Sequence, residues 1–139
     1  MLRIAAGGKM HLNLLWTALL GAILGSLADW LFAGVLFHDR YLLHPEVWRT
    51  TSNDTRRVMI AQLTTLLTAG GFTLLAYRLG TTHWSAAFEL AGMICLFAPL
   101  PLLLANALFI KIDWLVTASH AAGWLVKLLL CAAAVALLL

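Results

Sequence analysis

The 139-residue chain is 63% hydrophobic and only 11% charged, whereas water-soluble domains carry about 25% charged residues. A water-soluble domain is therefore excluded, and the chain must dissolve in lipid. Its net charge of +3 is modest, and the basic residues gather mostly in one connector, which suits anionic lipid headgroups and argues against nucleic acid as a partner.

Four apolar runs, 12–37, 58–76, 85–105 and 112–139, reach the roughly 20 residues needed to cross a hydrocarbon core. They predict an all-α polytopic membrane protein, a four-transmembrane-helix bundle forming a single integral membrane domain over 1–139. The longest polar segment, His38 to Arg57, is only a connector, so whatever the protein does takes place in or at the bilayer. A multi-pass protein of the cell membrane, with a bacterial inner membrane as the first expectation, follows.

Arg3 and Lys9 precede the first run, and Ser26-Leu27-Ala28 has the small residues of a cleavage site. The apolar stretch nevertheless continues from Trp30 to Phe37, so it reads as a retained span whose excess length implies tilt or a final turn among the headgroups. Ala18, Ala22, Gly25 and Asp29 follow one stripe of this helix. Gly21 and Gly25 form a small-xxx-small pair that lets helix backbones approach, so Asp29 is expected to face protein.

The connector from Phe37 to Arg49 is dense in chemistry. His38, Asp39, His44 and Glu46 are residue types that ligate zinc or iron. Their spacing matches no diagnostic motif, and histidines beside Trp, Tyr and Arg commonly anchor a chain at the membrane surface. Metal ligation stays open, and no cofactor is expected: no haem-attachment motif accompanies His120. Pro45 fits the first turn of a short interfacial helix toward Trp48, and Ser52-Asn53-Asp54 offers capping residues before the second span.

On the second span Thr65 and Thr68 can bond their own helix carbonyls. Gly80-Thr81-Thr82 breaks the chain, and Pro99 and Pro101 should kink the third span toward its end. Ser85, Gly92, Pro99 and Asn106 recur at seven-residue intervals on that span, with Glu89 about 40° away. Cys95 and Cys131 read as small apolar residues within spans. Connectors this short predict antiparallel packing of each helix against its sequence neighbour.

The fourth span carries Asp113, His120 and Lys127 at seven-residue spacing, two helical turns apart and hence on one face. Ionisable groups at membrane depth are costly without a partner, a cavity or water. Counting depth from the span ends pairs Asp29 with His120, each about 10 Å below the same surface, and Glu89 with Lys127. Asp29, Glu89, Asp113, His120 and Lys127 are thus the candidate intramembrane polar site. Such groups also hold small bundles together at about 1 kcal/mol each, and a tryptophan such as Trp124 on the same stripe more often packs than serves as a ligand platform. The first and third connectors carry Arg40, Arg49, Arg56, Arg57 and Lys111 against Arg3, Lys9 and Arg78 on the other side, which favours cytoplasmic connectors.

Several stretches carry a resemblance: Gly25-Ser26-Leu27-Ala28-Asp29-Trp30-Leu31-Phe32, then Val35-Leu36-Phe37 and Trp48, with Ala105-Asn106-Ala107-Leu108-Phe109 and Ser119-His120-Ala121-Ala122-Gly123-Trp124. Together they resemble the small four-helix bacterial membrane proteins grouped as domain of unknown function 1761. The resemblance implies the four-helix fold and brings no activity with it.

Three classes of function fit. The first is a transporter-like binder, in which the five ionisable residues line a path for a small polar solute, a proton or another ion, across a homo-oligomer because four helices enclose little volume. The second is an accessory subunit of a larger membrane complex, docking through its small-residue seams. A membrane enzyme is the third, and it requires a nucleophile–base pair or a metal that the pattern does not supply.

Overall fold

The computed structural model describes residues 2–43 and 54–139. Helix α1 (Leu2–Asp29) passes directly into a π-helical stretch (Trp30–Leu36), followed by a short α2 (His38–Leu42). After the first connector come α3 (Asp54–Leu79), α4 (Trp84–Phe97), α5 (Pro99–Phe109) and α6 (Trp114–Leu138). Among the described residues, four helical segments are long and apolar enough to cross a membrane: Lys9–Leu36, Thr55–Leu79, Trp84–Phe109 and Trp114–Leu138. The described residues are all-helical, and the protein is a multi-pass membrane protein. The short helix expected from Pro45 toward Trp48, and Ser52 and Asn53, lie outside the described residues.

Local chemistry explains where the spans stop. Gly80 adopts φ +68°, a left-handed conformation that costs glycine little. It closes a Schellman turn in which Thr81 N–H donates to Ala76 O at 3.0 Å and Gly80 N–H to Tyr77 O at 3.2 Å. The expected proline kink divides the third span in two: α4 ends at Phe97, Ala98 leaves helical geometry at φ −121° and ψ −77°, and Pro99 opens α5. Proline is at home in a first helical turn, where its missing N–H has no intrahelical partner to lose. Trp84 and Trp114 open α4 and α6 at span ends, the depth amphipathic indoles prefer.

The packing order differs from the chain order. Helix α1 lies between α3 and α6, and α6 packs in turn against α4. Tyr77 Oη donates to Met10 Sδ at 2.7 Å near one end of the α1–α3 pair, and Thr65 meets Asp29 toward the other, so these helices are antiparallel. By contrast α3 and α4 are not a packed pair, which corrects the expectation that every helix packs on its sequence neighbour. The Gly80 turn ties only their ends. Which faces then meet is decided by the seams of small residues, and those favour α1 and α6.

Lipid tails are as apolar as leucine, so burying leucine drives helices together weakly, and close backbone contact matters more. The buried cluster accordingly includes Ala22, Ala69, Ala76, Ala87, Ala91 and Ala132. Large residues point outward, among them Phe109 at 90% exposure and Leu67 at 76%. That distribution inverts a water-soluble protein and suits a hydrocarbon solvent.

Candidate functional site

Small residues on three helices set the site. A Cβ placed on Gly25 of α1 would lie 3.0 Å from Lys127 Cγ and 3.1 Å from the Thr65 methyl, and one on Gly21 would lie 3.3 Å from Cys131 Sγ. The backbone of α1 thus sits against both α3 and α6 at these glycines. One turn beyond Gly25, Asp29 is carried into the junction of the three helices.

There Lys127 Nζ lies 2.7 Å from Asp29 Oδ2, and Thr65 Oγ1 donates to the same oxygen at 3.0 Å. The ammonium also stands 4.7 Å from the centroid of the Trp124 ring, where the π face attracts a cation. Lys127 is buried, at 7% exposure. It falls 13 residues after Trp114 at the start of α6, about 20 Å along the helix, within the middle third of a core about 30 Å thick. Ion pairing at that depth lowers the cost of holding both charges in lipid. One turn earlier on α1, Ser26 donates a hydrogen bond to Gln62 of α3, a second polar tie across the same seam.

Lys127 is therefore the cation beside Asp29, and the expected pairing of Lys127 with Glu89 does not form. Glu89 lies on the exposed side of α4, away from this junction. Depth counted from span ends is uncertain by a turn, and the long lysine stem spans that difference, so face rather than depth selects the partner.

The ion pair borders a cavity of about 230 Å³. Asp29, Phe32 and Ala33 supply one wall, Gln62, Thr64 and Thr65 of α3 a second, and Ser119, His120, Gly123, Trp124 and Lys127 of α6 a third. Asp29 and His120 thus share a cavity, with His120 at its exposed edge. Ser119 is 1% exposed, yet its hydroxyl has no hydrogen-bond partner. An unsatisfied buried hydroxyl costs about 1–3 kcal/mol, an expense that a hydrogen-bonding occupant would relieve once the Ser119 side chain turns toward the cavity its residue lines. The wider π-helical turns begin immediately after Asp29, with Phe37 N–H donating to Phe32 O at 3.1 Å, and carry Phe32 to the cavity wall. Such turns are rare and recur at functional sites.

The other sequence candidates sit elsewhere. Asp113 precedes α6 as its N-cap, its Oδ1 accepting from Leu115 N–H at 2.6 Å. The stripe of three ionisable residues thus resolves into a cap at the membrane edge, a histidine at the cavity rim and a buried lysine. His38 and Asp39 are exposed on α2, and His44 and Glu46 lie outside the described residues. Among the described residues no group of three or more His, Cys, Asp or Glu side chains is placed to hold a metal ion.

Thr65, Gln62 and Ser119 are the site residues that sequence reasoning missed. Thr65 does bond its own helix at Ala61 O, at 3.3 Å, as threonines in spans commonly do, but it shares its hydroxyl with Asp29. A usable signal existed: Thr65, Ala69, Thr73 and Ala76 form a small-residue stripe at helical spacing, and all four are buried. Ser119 is indistinguishable in sequence from any small packing residue.

No curated protein and no solved structure matches the chain. The family described as protein of unknown function, DUF1761, matches residues 16–136, from within the first span almost to the end of the last. The chain belongs to the DUF1761 family.

Proposed function

We propose that the protein binds a small polar solute or ion in the cavity beside the Asp29–Lys127 pair and conducts it through the bilayer. The observation that carries this reading is a cavity bordered by an intramembrane ion pair and lined by Ser119, whose buried hydroxyl is unpartnered. A pair serving only to join helices needs no cavity beside it. Lysine offers three N–H donors, so the ammonium retains hydrogen-bonding capacity beyond Asp29. His120 at the exposed rim marks the route of entry, about 9 Å along α6 from Trp114. Arg40, Arg56, Arg57 and Lys111 lie at that end of the bundle, which we place on the cytoplasmic side of a bacterial inner membrane.

The test is a thermal-stability screen of the full chain in mild detergent against small polar solutes and ions, followed by flux of each hit in proteoliposomes. Stabilisation and flux should appear for at least one class of solute and disappear in Asp29→Asn and Lys127→Met. If no solute stabilises the protein and proteoliposomes stay as tight as protein-free vesicles, the reading fails.

A further inference from the structure

Because α3 and α4 diverge from the Gly80 turn, a second hollow of about 500 Å³ opens between them. Leu67 and Phe72 of α3 face Ile94 of α4 and Leu102 of α5 across it, and Trp124 and Leu128 of α6 form its floor. Its wall is apolar. The one hydroxyl there, Thr68, is already satisfied by Thr64 O at 3.0 Å. Trp124 lines both this groove and the polar cavity, and carries the Lys127 ammonium over its ring. Two hollows, one bordered by an ion pair and one apolar, therefore share one indole.

We propose that they form a single site for an amphiphile, its neutral hydrogen-bonding head in the polar cavity and its hydrocarbon chain in the α3/α4–α5 groove. This rests on the cavity being a binding site, as proposed above, and names the class of its ligand. The head is neutral because Asp29 and Lys127 already cancel one another, and a resident headgroup, unlike an ion in transit, would hold its net charge uncompensated at this depth. It is hydrogen-bonding because Ser119 holds an unmet hydroxyl. The chain lies in the groove because the groove shares Trp124 with the head site and its exposed wall is apolar. Such a ligand enters sideways from the lipid, with Trp124 at the junction of head and tail.

The probe is hexadecanol bearing a mid-chain diazirine, photolysed with the full-length protein in nanodiscs and mapped by mass spectrometry. Labelling should saturate and fall in the segments 67–75 and 94–102, with unlabelled hexadecanol competing at least tenfold better than hexadecane, which lacks a head. Ser119→Ala should raise the competing concentration about fivefold, the worth of one hydrogen bond. Gly71 lines the groove and a Cβ there meets nothing within 4 Å, so Gly71→Leu should fold, fill the groove and abolish labelling. The same variant should keep the stabilisation by small solutes. Labelling that hexadecane competes equally well, or that survives Gly71→Leu, overturns the proposal and leaves the groove as ordinary lipid-facing surface. Failure of the polar site reads out separately, as loss of small-solute stabilisation in the wild-type protein.

Discussion

The two sides of α6 solve the problem of packing in lipid differently. Toward α1 and α3 the contact is close and polar: Gly21 and Gly25 bring the backbones together, and Asp29, Thr65 and Lys127 are joined by hydrogen bonds and charge. Between α3 and α4–α5 the helices stand apart, Gly71 has open space beside it, and an apolar groove remains over α6. Tight association follows small residues and polar ties, while large apolar side chains are equally content against lipid. The looser side is free to take a ligand because little of the bundle's cohesion depends on it.

The largest effect that would sharpen this contrast is loss of half the ion pair. Lys127→Met or Asp29→Asn should each destabilise the protein by about 3 kcal/mol, the low end for a buried pair because the Asp29 side chain is 37% exposed. The double variant should recover much of that loss, since no unpaired charge is left. Unfolding equilibria of the four proteins give the coupling directly, and additive losses would dissolve the pair.

Alanine at Gly25 ranks next. Its methyl would press on the Lys127 stem and the Thr65 methyl, and should cost about 1–3 kcal/mol. Alanine at Gly71 on the groove, where a Cβ meets nothing within 4 Å, should be neutral or stabilise by up to about 1 kcal/mol through helix propensity. Equal melting shifts for the two variants would erase the distinction between the tight and the open side.

Removing the α6 cap with Asp113→Ala should cost about 1 kcal/mol, detectable as faster amide exchange in the first turn of that helix. A loss of solute binding in this variant, with the rest of the helix intact, would return Asp113 to the site. The smallest effect is expected for Glu89→Gln on the exposed face of α4, within about 0.5 kcal/mol of wild type by the same unfolding measurement.

Much of the architecture was legible without coordinates. A bilayer offers no water to unpaired backbone groups, so an apolar run of sufficient length must satisfy its own hydrogen bonds as a helix, a local requirement readable from composition. Gly80 as a stop, Pro99 as a break and Asp29 as an inward-facing acid all follow from residue chemistry within a turn or two. The partner of Lys127, the separation of α3 from α4, the π-helical turns after Asp29 and the unmet Ser119 hydroxyl were decided only by the tertiary structure. Helix association in lipid has no strong non-specific driving force, so small differences in shape and a few polar contacts select one packing from several, and those differences arise between residues dozens of positions apart.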